Sequence, residues 1–319
     1  MMKGIVFCAA MLLSLLLVSC GPDSVTGAAE AAPGTCREIE TGYQLKQIAV
    51  SEGKRWALTA DNEVLAAEDG KEDFRSVRKI EGIYSGTDGF VNACFVDART
   101  AYAAYFSEDG KRVVVERTSD GGKSWKQTSF VYGDYGEVCD AGSVYLSFFN
   151  DENGYLLYCS TPAMGRMTKL LFRTEDAGES FFFVGDLTDE LAGYPQGISF
   201  YDGENGYIGV SYYGEDAYLY RTENAGVEWK SEKLPAQDEG ISYMDGYAPV
   251  FYDGNGAGMI VLKAVGEGAS YRLYLTEDYG GTWEEAGELP IESLMGYTAD
   301  EAGRLLFVDG MGKLYERVG

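Results

Sequence analysis

Along most of this chain apolar and polar residues alternate in short runs, and Gly, Asp or Asn interrupts the runs after roughly five to eight positions, a pattern of half-buried β-strands and tight turns. Between residues 197 and 234 it predicts four strands: Gly197 to Asp202, Gly206 to Tyr213, Ala217 to Arg221 and Glu228 to Leu234. The strand-turn-strand signature recurs. Phe95-Val96-Asp97 precedes Ala101-Tyr102, Phe149-Asn150-Asp151 precedes Gly154-Tyr155, Phe200-Tyr201-Asp202 precedes Gly206-Tyr207, and Phe251-Tyr252-Asp253 precedes Gly258-Met259. Units of this kind begin near Gln47, Gly89, Gly142, Gly197, Pro249 and Gly296.

A second repeat runs out of phase with the first. Arg117-Thr118-Ser119-Asp120-Gly121-Gly122-Lys123-Ser124-Trp125 is echoed by Arg173 to Phe181, Arg221 to Trp229 and Leu275 to Trp283. The shared form is [ST]-x-[DN]-x-G-x-[STE]-[WF], and its Asp or Asn recurs roughly every fifty residues. A worn copy sits at Ala67 to Phe74, around Asp69. This pattern resembles the Asp-box, or BNR repeat, of sialidases, sortilin-type receptors and Ycf48-type propellers. In each copy the carboxylate or amide (Asp120, Asp176, Asn224, Asp278) is expected to accept backbone N–H bonds across the turn. The glycine (Gly122, Gly178, Gly226, Gly280) takes positive φ, and the aromatic (Trp125, Phe181, Trp229, Trp283) wedges between neighbouring sheets.

Four antiparallel strands in about fifty residues make one blade of a β-propeller. The expected fold is therefore all-β, a six-bladed propeller of four-stranded antiparallel blades over residues 36–319. The last unit ends before a fourth strand, so the segment from Cys36 to Leu45 is expected to supply it and close the ring.

The first residues read differently. Lys3 followed by an apolar run to Ser19 has the form of a signal peptide over residues 1–19. Leu17-Val18-Ser19-Cys20 resembles the lipobox of bacterial lipoproteins, which implies a lipidated Cys20 and an extracytoplasmic, membrane-anchored protein. Residues 20–35 then form a flexible tether, and the membrane is touched only through the anchor. Of six cysteines, Cys36, Cys94, Cys139 and Cys159 remain in the domain, either as two disulfides or as free thiols.

Composition narrows the chemistry. With 26 basic and 51 acidic residues the formal charge is −25, which points away from nucleic acid, anionic sugars and anionic lipid. Zero histidines exclude imidazole catalysis and His-ligated metals. The acidic turns at Asp151, Asp202 and Asp253 lack the ligand spacing of a calcium loop, so no metal or cofactor is expected.

The longest loops, 130–142, 184–197 and 234–250, belong to the face opposite the Asp-boxes. They bring Tyr132, Asp134, Tyr135, Tyr194, Tyr243, Asp245 and Tyr247 toward a central funnel, with Tyr297 from a neighbouring loop. Glu137, Asp186, Asp189, Glu190, Asp238 and Glu239 accompany them. Tyrosines beside carboxylates suit a sugar or a cation. The arginine triad of sialidases has no counterpart: no inner strand carries an arginine, and Arg117, Arg173 and Arg221 adjoin the Asp-boxes. The expected function is non-catalytic binding, as a monomer, of a protein or a neutral or cationic glycan through this Tyr/acidic face. The alternatives are a glycoside hydrolase or lyase acting on such a sugar, and an assembly factor for a membrane complex.

Overall fold

The alternation is realised as strands throughout. The computed structural model describes residues 35–68, 71, 73–135, 140–212, 218–234, 242–266 and 268–318. The expected signal peptide, Cys20 and most of the tether lie outside the described residues, as do Asp69, Glu137, Cys139, Asp238 and Glu239.

Strand β1 is Thr35–Ile39. Strands β2 (Leu45–Ser51), β3 (Lys54–Thr59), β4 (Glu63–Glu68) and β5 (Arg75–Lys79) form the first four-stranded antiparallel sheet. Strands β6 (Val91–Phe95), β7 (Ala101–Phe106), β8 (Arg112–Thr118) and β9 (Lys126–Val131) form the second. Strands β10 (Ala141–Phe148), β11 (Gly154–Ser160), β12 (Lys169–Thr174) and β13 (Phe182–Asp186) form the third. Next come β14 (Tyr194–Phe200), β15 (Gly206–Ser211), β16 (Leu219–Thr222), β17 (Lys230–Glu232), β18 (Tyr243–Gly246), β19 (Val250–Phe251), β20 (Gly258–Val265), β21 (Ala269–Thr276) and β22 (Glu284–Leu289). Strands β23 (Leu294–Ala299), β24 (Leu305–Asp309) and β25 (Leu314–Val318) complete the chain, and β1 pairs antiparallel with β25 from Thr35↔Val318 to Ile39↔Leu314. These are the antiparallel four-stranded blades of an all-β propeller.

The sheets are not six separate ones. Strands β14 to β22 make a single nine-stranded sheet, because part of the expected 234–250 loop is strand β18. It pairs with β20 from Tyr243↔Val265 to Gly246↔Leu262 and meets β15 at Ser211↔Asp245. Gly246 is what permits this approach, since a Cβ there would lie 2.2 Å from the Tyr218 carbonyl oxygen.

Burial follows position within each sheet. The second strands β7 and β11 are buried along their whole length, whereas β5, β9 and β13 are largely exposed. Apolar clusters fill the space between successive sheets. Trp56, Leu58 and Val64 pack with Val91, Ala103 and Tyr105; Phe106 and Val115 pack with Leu146, Leu156 and Phe172. At the other end of the chain Leu306, Val308 and Leu314 pack with Ile48, Ala57 and Leu65.

Candidate functional site

The Asp-box turns carry many of the acidic side chains on one face, and their carboxylates are spent internally. Asp120 Oδ1 accepts the Lys123 and Ser124 N–H groups at 3.0 and 2.9 Å, and Ser124 Oγ donates to Oδ2 at 2.6 Å. The Thr118 hydroxyl donates to Asp120 and accepts the Gly122 N–H, both at 2.9 Å. Asp176, Asn224 and Asp278 accept the amides of Ser180, Glu228 and Thr282 at 2.8, 2.9 and 2.8 Å. Hydrogen bonds from the Ser124 hydroxyl and amide pull the Asp120 carboxyl down to about 2. Gly122, Gly178, Gly226 and Gly280 all have positive φ, and so do Ala177, Ala225 and Tyr279 one position earlier. Trp125, Phe181 and Trp229 each join the apolar cluster shared with the preceding sheet, and Trp283 the cluster between the two halves of the nine-stranded sheet.

The turns between first and second strands behave alike. Asp97, Asn150, Asp202, Asp253 and Asp300 each accept two backbone N–H groups two to four residues on. Among the described residues no group of three or more Cys, Asp or Glu is placed to hold a metal ion.

One recurring element escaped the sequence reading. Tyr102, Tyr155 and Tyr207, at matching positions of β7, β11 and β15, each send a hydroxyl to a carbonyl in a turn of the next unit: Asp151, Gly203 and Tyr279, all at 2.8 Å. Arg117, Arg173 and Arg221 lie over these rings at 5.8, 5.8 and 5.7 Å. Trp56 plays the same part in β3, donating to the Asp97 carbonyl at 2.9 Å. The signal was an aromatic at a fixed place in the second strand of each unit.

The expected Tyr/acidic face is largely dispersed. Tyr132 is only 1% exposed, stacks on Tyr158 at 4.4 Å and donates its hydroxyl to the Gly110 carbonyl, so it is core and no ligand contact. Tyr135 is half-exposed and stacks on Phe183, away from Tyr247 and Tyr297, and Asp134 is exposed beside it. The Tyr243 backbone belongs to β18. Asp245 accepts the Ser211 hydroxyl at 2.7 Å and faces Lys263 Nζ at 3.9 Å. Asp186 accepts the Thr188 N–H, Asp189 pairs with Arg166, and Glu190 accepts the Trp229 N–H. Tyr247 and Tyr297 do come together, and Asp245 is close enough to Tyr247 to add to the upward shift that burial gives its pKa. Their rings meet edge to face at 6.5 Å, and Tyr297 donates to the Ala248 carbonyl at 2.6 Å. Tyr194 instead lines a separate cleft with Arg166 and Lys169.

Tyr247 and Tyr297 line a cavity of about 500 Å³ to which β2, β6, β10, β14, β19 and β23 all contribute. Among the described residues its lining contains no Asp, Glu, Lys or Arg, although charged residues make up 24% of the chain. The expected acidic funnel is thus a neutral one among the described residues, because Asp245, Asp189 and Glu190 are engaged elsewhere, by Ser211 and Lys263, by Arg166 and by the Trp229 N–H. Amides and hydroxyls of Gln47, Asn92, Ser147 and Gln196 supply its polarity, and Phe149, Tyr201 and Tyr279 its aromatic surface. Gln47 exchanges two hydrogen bonds with the Ala93 backbone at 3.1 and 2.8 Å, and Asn92 Oδ1 accepts the Leu146 N–H at 2.8 Å, which ties adjacent inner strands together. Gln196 and Met295 are exposed in the cavity. Arg117, Arg173 and Arg221 do not reach it.

Three cysteines, Cys36, Cys94 and Cys159, are free thiols. Burial pushes Cys94 and Cys159 up to about 11 and about 12.

No family model matches the sequence, and no curated protein matches it. Solved structures match it in shape. Ycf48 bound to a D1 peptide is 13% identical, with a TM-score of 0.50 over 92% of this chain and 99% of that one. Ycf48 from Cyanidioschyzon merolae is also 13% identical, with a TM-score of 0.50 over 88% of this chain and 98% of that one. The GH74 xyloglucanase from Xanthomonas campestris is 15% identical, with a TM-score of 0.52 over 90% of this chain and 54% of that one. At such identities the likeness speaks for architecture alone, and by architecture this chain is a β-propeller.

Proposed function

We propose that this chain is an extracytoplasmic, lipid-anchored, non-catalytic β-propeller that binds an uncharged ligand, a neutral glycan or a neutral segment of another protein, in its central cavity. In this reading residues 1–19 are a signal peptide, Cys20 carries lipid, the tether runs to residue 35, and residues 36–319 form a closed six-bladed Asp-box propeller. Two observations favour six blades. The nine-stranded sheet divides at the Ser211↔Asp245 bridge into two groups, each with its own Asp-box. The packing of Leu306 and Leu314 against Ile48 and Leu65 favours a closed ring.

The uncharged lining carries the functional reading. On a chain of net charge −25, a cavity whose described lining holds no carboxylate or basic group offers neutral hydrogen bonds and aromatic faces, which match sugar hydroxyls, C–H faces or a peptide backbone. The glycoside hydrolase alternative is less well supported: such chemistry needs two carboxyl groups roughly 5–10 Å apart, and the described residues lining the cavity provide none. Capture of a peptide, as in the Ycf48 complex with a D1 peptide, remains the basis for the assembly-factor alternative.

The test is titration of the protein with a panel of neutral oligosaccharides and a pull-down from solubilised membranes, each repeated with Gln196→Ala and Met295→Ala. Both side chains are exposed, so the variants fold. Loss of binding in the variants is expected. Unchanged binding by both sinks the cavity reading.

A further inference from the structure

A second cleft, of about 250 Å³, is distinct from the central cavity and is lined by Arg166, Met167, Lys169, Thr188, Tyr194 and Tyr212, among others. Lys169 opens β12 and is 3% exposed. Its ammonium donates to the carbonyls of Leu191 at 2.9 Å and Met167 at 3.3 Å. That leaves one of three N–H donors unspent, and no carboxylate among the described residues lies within 4.0 Å of it. Arg272, buried to a comparable degree, has Glu285 and Glu288 at 4.0 Å. A buried cation without a counter-ion is costly, and the usual resolution is a partner charge. Burial accordingly lowers the Lys169 pKa, with Cys159, Asp186 and Asp189 opposing the shift.

At the mouth, Arg166 Nη2 lies 3.0 Å from Asp189 Oδ1, and both side chains are exposed. Arg166 thus has a carboxylate in contact, whereas Lys169 feels Asp186 and Asp189 only from beyond contact distance. The Thr188 Oγ1 accepts the Lys169 backbone N–H at 3.1 Å, which leaves its own O–H free to donate. We propose that this cleft is a carboxylate-binding site, in which Lys169 supplies the compensating charge, Thr188 and Arg166 further donors, and Tyr194 and Tyr212 the walls for the group that carries the carboxylate. One negative charge matches the one cation that has no described carboxylate in contact, and Asp186 and Asp189 nearby oppose a dianionic phosphate more than a monoanionic carboxylate.

Calorimetric titration of the full chain with glucuronate, glucose, acetate and inorganic phosphate tests this. Glucuronate and acetate are expected to bind saturably, with glucose and phosphate at least tenfold weaker. Lys169→Met should lose glucuronate affinity by tenfold or more, with the removed charge offset in stability by the donors lost to the Leu191 and Met167 carbonyls. If that variant does not fold, Arg166→Gln, at an exposed position, should weaken glucuronate several-fold. Met295→Ala, in the central cavity, should leave it unchanged, which separates this site from the cavity reading. Equal affinity for glucose and glucuronate, tighter binding of phosphate, no saturable carboxylate binding, or full affinity in both the Lys169 and Arg166 variants overturns the proposal.

Discussion

The ring of Tyr102 lies parallel to that of Phe148 in the next sheet, with centroids 3.6 Å apart and 5° between planes, and the Tyr155–Phe200 pair repeats the contact at 3.6 Å. Each tyrosine also donates to a turn carbonyl beyond the phenylalanine. A sheet-to-sheet interface is therefore held by one residue that stacks and hydrogen-bonds at once. Tyr102→Phe keeps the stack and leaves the Asp151 carbonyl one donor short, a loss of about 1–2 kcal/mol. Tyr102→Ala removes the ring and should cost about 3–5 kcal/mol. Urea denaturation of both variants checks the order; equal losses would mean that the ring adds nothing beyond its hydroxyl, and an unchanged Tyr102→Phe that the hydroxyl does nothing.

Acid should loosen the Asp-boxes. The Asp120 carboxyl is held near about 2 by the Ser124 hydroxyl and amide, and backbone and hydroxyl donors of Thr282 and Thr276 lower Asp278 in the same way. A carboxyl whose pKa falls on folding contributes stability in full above its unfolded value, roughly pH 4, and loses it as pH drops through the folded value. Unfolding free energy should therefore decline between about pH 4 and pH 2. Asp120→Asn, the residue type already present at Asn224, should flatten part of that slope while retaining the fold. Urea titrations across this range give the comparison.

The paired positive-φ positions predict opposite responses to neighbouring substitutions. Gly226 has φ +82°, and a Cβ there would lie 2.3 Å from Leu171 Cδ2, so Gly226→Ala should cost about 1–3 kcal/mol. Ala225 sits at φ +61°, where relief of left-handed strain outweighs the added freedom of the unfolded chain, and Ala225→Gly should stabilise by about 0.5 kcal/mol. Thermal melts of the two variants should move in opposite directions.

Thiol chemistry should divide the cysteines. Cys159 is buried and Cys94 half-buried in the wall of the central cavity, and both have pKa values pushed up by burial, so the reactive thiolate is scarce. Iodoacetamide on the folded protein should label Cys36, which is half-buried, well before either. Mass spectrometry after native and denaturing treatment tests the order, and prompt native labelling of Cys159 would contradict its placement.

What the sequence by itself determined is local. The donors and acceptors of an Asp-box lie within a few residues, so Asp120, Thr118, Gly122 and Ser124 announce their own hydrogen bonds. The period-two alternation likewise announces strands. The cavity depends on side chains from segments up to about 250 residues apart, and its neutrality follows from the partners that Asp245, Asp189 and Glu190 find elsewhere; neither has a local signature. Tyr132 and Tyr247 look alike in their glycine-rich loops, yet Tyr132 packs between Phe106 and Tyr158 while Tyr247 faces the cavity. Strand β18 was hidden for the same reason, since its pairing with β20 and β15 holds it in the sheet and Gly246 merely leaves room beside Tyr218. Local chemistry set the turns and strands; packing between sheets decided which aromatic and polar groups were left to meet a ligand, because burial is settled by partners distant along the chain.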